Sequence, residues 1–191
     1  MVVFGWSMKT IARISALLIL FLPILILAHH TLATVHTVIG TVTKVSDGDS
    51  IQITTPEQTN LKVRLYGIDA PETPKVNNRT GQINKPGQPY GQESRKVLSD
   101  KLMGKAVKVD IVEFDKYKRS VCMVWLDDRN INLEMIREGF AEVFIEYLKE
   151  PYKAEFLKVE REARAAKRKI WSLPDYERPR EFRKRLKVSG D

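Results

Sequence analysis

The chain has 191 residues, with 32 Lys and Arg against 24 Asp and Glu, a formal net charge of +8 and a pI near 9.5. That length fits one domain with a packed core, and 43% apolar with 29% charged residues excludes an intrinsically disordered chain. A lone Cys122 excludes an internal disulfide, and the only histidines, His29, His30 and His36, lie at or before the start of the folded part, which leaves no material for a histidine metal site or triad.

At the N-terminus, Lys9 and Arg13 precede an uncharged apolar run from Ile14 to Ala28, and no acidic residue occurs before Asp47. Residues 1–33 therefore read as a secretory signal, with small residues in Thr31-Leu32-Ala33 suited to cleavage after Ala33. Pro23 interrupts the run, and an uncleaved membrane anchor is the alternative. Val38 to Val45 is rich in β-branched residues. Asp47-Gly48-Asp49 then marks a turn and Ser50 to Thr54 a returning strand, together a hairpin. Leu61 to Tyr66 alternates apolar with polar, as a half-buried strand does. Three prolines, two glycines and adjacent asparagines make 73–89 a loop. The pattern predicts a helix from Tyr90 to Met103, stopped by Gly104, and strands at Ala106–Glu113 and Arg119–Leu126. Cys122, inside the apolar run Val121 to Trp125, is expected to be a buried small residue.

The last third is expected to be mainly helical. Asn130–Glu138 forms a short helix ended by Gly139, and Val143–Tyr147 is extended. Tyr152, Phe156, Val159, Ala163, Ala166 and Ile170 recur at steps of three and four, an apolar stripe on one helix. Residues 174–191 form a basic tail, expected to be loosely held and to add non-specific attraction for phosphates. Five strands with a helix before the last two, then further helices, suit an α+β fold built on a small closed barrel of the OB type.

Two segments carry the chemistry. Asp47-Gly48-Asp49-Ser50 and Arg64-Leu65-Tyr66-Gly67-Ile68-Asp69-Ala70-Pro71-Glu72 both place carboxylates at strand ends, where a barrel opens to solvent. Pairing of these strands would bring Asp49, Asp69 and Glu72 together, and converged carboxylates repel unless a cation sits among them. Oxygen-only ligands favour a hard ion, Ca²⁺ or Mg²⁺, over zinc. Taken alone, an Asp-Gly pair in a hairpin is turn chemistry, and Glu72 could simply be solvated. Arg64, between Val63 and Leu65, points away from the apolar face, and Arg119 opens another strand. Two arginines facing a cation would stabilise negative charge building on a phosphate.

The blocks VSDGDS, VRLYGIDAPE, YGQESRKVL, DKYKR and NLEMIREGFAEVF, in this order and spacing, resemble the staphylococcal nuclease (thermonuclease) family from about Val38 to Trp171. The resemblance implies an OB barrel with packed helices. It implies Ca²⁺ held by the side chains of Asp49 and Asp69 and the backbone carbonyl of Ala70, with Mg²⁺ or Mn²⁺ able to substitute. Glu72 becomes the general base or water-positioning group, and Arg64 and Arg119 hold the scissile phosphate. Lys116 and Tyr117 match positions touching a neighbouring terminal phosphate, Tyr147 one beside the bound nucleotide, and Asp47 an acid behind the metal ligands. Departures are Ala70 where the family has threonine, Lys118 where DKYGR has glycine, Ile145 where a tyrosine is expected, and a longer 73–89 segment.

The expected domains are thus 1–33 as signal or anchor, 35–173 as the nuclease domain and 174–191 as the tail. The expected function is sequence-nonspecific hydrolysis of DNA and RNA that leaves 3′-phosphates, by an exported monomer without an obligate protein partner. Membrane contact would come only through an uncleaved N-terminus. The rival is a non-catalytic OB module that binds single strands on aromatic platforms such as Tyr66, Tyr117 and Tyr147.

Overall fold

A computed structural model describes residues 36–77 and 79–188. The expected signal or anchor at 1–33 lies outside the described residues. Five strands form the barrel: β1 (His36–Asp47), β2 (Ser50–Thr54), β3 (Asn60–Leu65), β4 (Ala106–Phe114) and β5 (Ser120–Leu126). β1 is long enough to serve two neighbours. Its first half, His36–Thr41, pairs antiparallel with β4, and its second half, Thr41–Asp47, pairs antiparallel with β2. Register shifts between Val42 and Lys44 and between Val45 and Asp47 let the strand bend as it changes partner. β2 pairs with β3 and β4 with β5, both antiparallel, and the parallel pairing Val63↔Ser120 to Leu65↔Cys122 closes the barrel. Closure leaves these edge groups paired, and the expected α+β OB-type barrel is what the chain adopts.

Alternation sets the inside of the barrel. Val42, Ile51, Ile53, Val63, Leu65, Val107 and Val109 are buried, while their neighbours along each strand are mostly part-exposed. β5 departs from alternation, since Ser120 to Val124 are all buried. Its outer face is covered by α2 (Ile131–Arg137), which explains why this strand reads as a continuous apolar run. Cys122 lies fully buried there, and burial pushes its thiol up to about 12, so it is inert packing.

Four helices are seen among the described residues. α1 (Gly91–Leu102) buries Leu98 and Leu102 and ends before Gly104, whose φ of 74° suits only glycine well. α2 is capped by Asn130, whose side chain accepts from the Leu133 amide at 3.1 Å. α3 (Tyr152–Ala165) buries Phe156, Val159 and Ala163 and packs on α2. The expected stripe runs too far. Ala166 is exposed, Lys167 and Lys169 turn to positive φ, and Ile170 is buried instead from a separate 3₁₀ turn, Lys169–Ser172. The Ile170 amide donates to the Gly139 carbonyl at 3.2 Å, so docking on the end of α2 won over helix propagation. α4 (Pro179–Val188) lies where a loosely held tail was expected.

Three short ladders are also present among the described residues. Ile68–Asp69 pairs with Glu142–Val143, and of the expected extended segment Val143–Tyr147 only Val143 is strand. Lys75–Val76 pairs with Ile83–Lys85 inside the 73–89 segment, giving that loop a hairpin of its own. Arg129–Asn130 folds back to pair antiparallel with Trp125–Leu126 at the end of β5.

Candidate active site

The site grows from the ends of β1, β2 and β3. Val63 and Leu65 are buried in the barrel, so strand alternation turns Arg64 to the opposite face. The register Ser50↔Arg64 then sets it beside the β1–β2 turn. Arg64 Nη1 donates to Asp49 Oδ1 at 3.0 Å and Nη2 donates to Asp69 Oδ1 at 2.8 Å. Burial opposes the charge on Arg64, but Asp49 and Asp69 outweigh it and raise its pKa further. Asp49 is itself fixed. Its Oδ1 accepts from Ser50 Oγ at 2.8 Å, and its Oδ2 accepts from the Ala70 amide at 3.1 Å.

Gly48, next to Asp49, is not in the left-handed region, so its glycine is not demanded by turn geometry. The demand is steric: a Cβ there would lie 1.9 Å from Ser94 Oγ on α1 and 2.8 Å from Ala70 Cβ. The turn, α1 and the Ala70 strand end meet at this point with no room between them.

Glu72 is held by its backbone. The Glu72 amide donates to Gln88 Oε1 at 3.1 Å and its carbonyl accepts from the Gln88 amide at 2.9 Å. A Cβ on Gly91, at the start of α1, would come within 2.2 Å of the same carbonyl. Both ends of the 73–89 loop thus meet at Glu72. Burial raises the Glu72 carboxyl above the ordinary carboxylate value, with Asp49 and Asp47 adding to the rise and Arg183 pulling the other way. Asp47 faces the loop instead, accepting from Thr73 Oγ1 and, at 2.8 Å, from Lys75 Nζ.

Arg183 of α4 was not foreseen in this site. Its Nη1 donates to Asp69 Oδ1 at 3.0 Å and to Glu72 Oε1 at 2.7 Å, and its Nη2 donates to Asp69 Oδ2 at 2.8 Å. The segment before it is anchored as well. Arg178 Nε donates to Glu142 Oε1 at 2.8 Å, Tyr176 Oη to Glu142 Oε2 at 3.2 Å, and Gln88 Nε2 to the Glu177 carbonyl at 2.8 Å. Glu142 is fully buried opposite Asp69 in the short ladder, and burial pushes its pKa up to about 7 against the pull of Arg178. The expectation of a loose tail is therefore corrected: buried acids on the domain demanded counter-charges, and Arg178 and Arg183 supply them. The signal available in the sequence was one aromatic, Phe182, set among arginines.

The remaining candidates lie apart from the acids. Arg119 Nε donates to Asp115 Oδ2 at 2.6 Å, and among the described residues it makes no hydrogen bond to Asp49, Asp69 or Glu72. The pairing Val63↔Ser120 nevertheless places Arg64 in β3 and Arg119 just before β5, one residue to either side of that rung. The Asp115 carboxylate also accepts from the Tyr117 and Arg119 amides, at 2.8 and 3.0 Å, so it shapes the turn that presents this arginine. Lys118 in that turn has a φ of 59°, which accounts for glycine at this position in DKYGR. The Lys116 ammonium lies 5.2 Å and the Arg119 guanidinium 5.5 Å from the Tyr117 ring centre. Tyr117 and Tyr147 are exposed, and the Tyr147 ring lies 4.9 Å from that of Phe144. Tyr66 is not a platform: it is 1% exposed, and its hydroxyl accepts from the Lys149 amide at 2.8 Å.

The donor chemistry of Asp49, Asp69 and the Ala70 carbonyl fits a hard divalent ion, being oxygen throughout. With Arg183 docked the fit is incomplete, because both Asp69 oxygens accept from guanidinium groups. Among the described residues no three acidic, histidine or cysteine side chains are arranged to hold a metal ion. The cations these acids hold in this arrangement are Arg64 and Arg183.

Comparison with known proteins agrees with this architecture. The family described as "Staphylococcal nuclease homologue" matches residues 62–173. A Haemophilus influenzae protein named "Uncharacterized endonuclease" is 32% identical over 148 residues, covering 78% of this chain and 74% of its own. "Micrococcal nuclease" of Shigella flexneri is 31% identical over 157 residues, covering 78% of this chain and 82% of its own. "Endonuclease Htp3" of Saprolegnia parasitica is 30% identical over 170 residues, covering 76% and 75%. A barrel of this topology with an acid and arginine cluster at its open end, matched over these lengths, makes the chain a member of the staphylococcal nuclease family.

Proposed function

We propose that this phosphodiester-hydrolysing nuclease is calcium-dependent, cuts DNA and RNA with little sequence preference, and leaves 3′-phosphates. The observation that carries the reading is the gathering of Asp49, Asp69, Glu72 and Arg64, from the β1–β2 turn, β3 and the segment after it, into one network at the barrel's end. Asp49, Asp69 and the Ala70 carbonyl would hold Ca²⁺, or Mg²⁺ or Mn²⁺ in its place. When bound, the ion supplies charge stabilisation at the phosphoryl oxygens. Glu72 takes the proton of the attacking water, and a pKa raised by burial suits a base working near neutral pH. Arg64 and Arg119 clamp the scissile phosphate and neutralise charge as it builds. Lys116 and Tyr117 bind a neighbouring phosphate, and exposed Tyr147 lies beside the base. Export of the protein by its N-terminal segment belongs to the same reading.

The test is digestion of plasmid and single-stranded RNA with calcium, with analysis of product ends. Glu72→Gln and Arg119→Ala are each expected to lower the rate by about 10²–10⁴-fold with the fold intact by circular dichroism. Full activity in a calcium chelator, or 5′-phosphate ends, would remove this mechanism.

A further inference from the structure

The family match ends at residue 173, and α4 lies beyond it. Yet α4 delivers a guanidinium to the acids at the centre of the site. Arg183 donates to both oxygens of Asp69 and to Glu72 Oε1, and Asp69 Oδ1 also accepts from Arg64. A carboxylate offers about four lone-pair sites. Three on Asp69 are spoken for, two of them by a residue more than a hundred positions away in the chain. In effect Arg183 places one fixed positive charge where the acids would otherwise share a mobile one.

The docking of this segment is mostly polar. Phe182, 5% exposed, is the one large apolar side chain that α4 buries, and the other anchors include the Arg178–Glu142 ion pair, the Tyr176–Glu142 and Gln88–Glu177 hydrogen bonds, the Trp171–Tyr176 edge contact and the Arg180–Glu146 pair. A helix held by one buried aromatic and several ion pairs opens at lower free energy than the barrel beneath it. It also responds to charge, because a divalent ion competes directly for the Asp69 oxygens that hold Arg183.

We propose that α4 is an intramolecular lock, in which Arg183 stands in for the divalent cation on Asp69, ties down the base Glu72, and keeps the site closed until calcium displaces it. This rests on the proposed function, since it takes Asp69 as a calcium ligand. Linkage makes the coupling reciprocal: α4 docking weakens calcium binding by the same factor by which calcium weakens α4 docking, about 5–150-fold for couplings of ordinary size. At low calcium the enzyme is self-inhibited, and rising calcium both fills the site and releases Glu72 from Arg183.

The experiment is calorimetric titration of calcium alone into the full chain, its Arg183→Gln variant and its Phe182→Ala variant, with hydrogen exchange across residues 179–188 with and without calcium. The lock requires calcium to bind at least about tenfold more tightly to both variants, and calcium to speed exchange in α4 of the unsubstituted protein by a similar factor. Arg183→Gln should also digest DNA faster at limiting calcium. Phe182→Ala keeps the test open should Arg183→Gln misfold, because it undocks the helix without touching the acids. Equal or weaker calcium affinity in both variants, with α4 protection unchanged by calcium, overturns the lock while calcium-dependent digestion leaves the proposed function standing. Loss of saturated activity in Arg183→Gln at unchanged calcium affinity also overturns it, by making Arg183 part of the phosphate clamp. Absence of calcium binding in all three proteins, with calcium-independent digestion, overturns both readings.

Discussion

Substituting Gly48→Ala tests whether the site depends on a contact that no turn rule foresees. The added methyl would sit 1.9 Å from Ser94 Oγ, 2.8 Å from Ser94 Cβ and 2.8 Å from Ala70 Cβ. Those neighbours are buried and belong to separate elements, so relief requires α1 and the Ala70 strand end to move apart. Overpacking of this kind costs about 1–3 kcal/mol. Ser94 Oγ also donates to the Phe140 carbonyl at 2.7 Å, and losing that buried hydrogen bond adds about 1–2 kcal/mol. The expected loss is thus about 2–5 kcal/mol, read as a lower urea midpoint at unchanged slope in circular dichroism. Calcium affinity should fall as well, because the Ala70 amide that orients Asp49 moves with Ala70. The double variant Gly48→Ala, Ser94→Gly removes the worst contact and should be less destabilised than the sum of its parts. A Gly48→Ala protein within about 0.5 kcal/mol of the parent, or strict additivity in the pair, would refute the steric argument.

Two other outcomes are expected. Lys118→Gly should stabilise the protein by about 1 kcal/mol in urea denaturation, because glycine relieves the positive φ of 59° in the Asp115–Arg119 turn, while glycine's extra unfolded-state freedom limits the gain; a net loss would mean the lysine side chain is itself needed there. Glu134 is pulled down to about 2 by hydrogen bonds from Arg129 and then, against burial, from Lys101, so the folded state holds its carboxylate ionised below the ordinary value of 4.5. The stability from this group is present above pH 4.5 and is lost as pH falls towards 2, so Glu134→Gln should cost about 1–2 kcal/mol at pH 7 and nothing near pH 2; a pH-independent difference in thermal or urea unfolding would contradict the assignment.

Much of the barrel was legible because its determinants are local. β-Branched alternation in β1 to β3, the Asp-Gly turn, Gly104 after α1 and Gly139 after α2 each act within a few residues, and each lies where the pattern predicts. The α3 stripe failed for the opposite reason. Periodicity continues through Ala166 to Ile170, but the chain breaks helix at 165 to seat Ile170 against Gly139, a contact made from another element. In the site, Arg64 followed from alternation between two buried valine and leucine neighbours. Glu142 and Arg183 did not follow from anything local: one is an acid between Ala141 and Val143 whose partner lies far along the chain, the other an arginine in a tail rich in arginines.

The sequence by itself determined the order and type of the elements, the basic character, the inert cysteine and the motif blocks that carry family membership, because spacing and residue chemistry act along the chain. Only the tertiary structure decided which charges meet. Ion pairs between residues 69 and 183, or 142 and 178, depend on where a closed barrel leaves buried acids without water, and that desolvation exists only after the chain has folded.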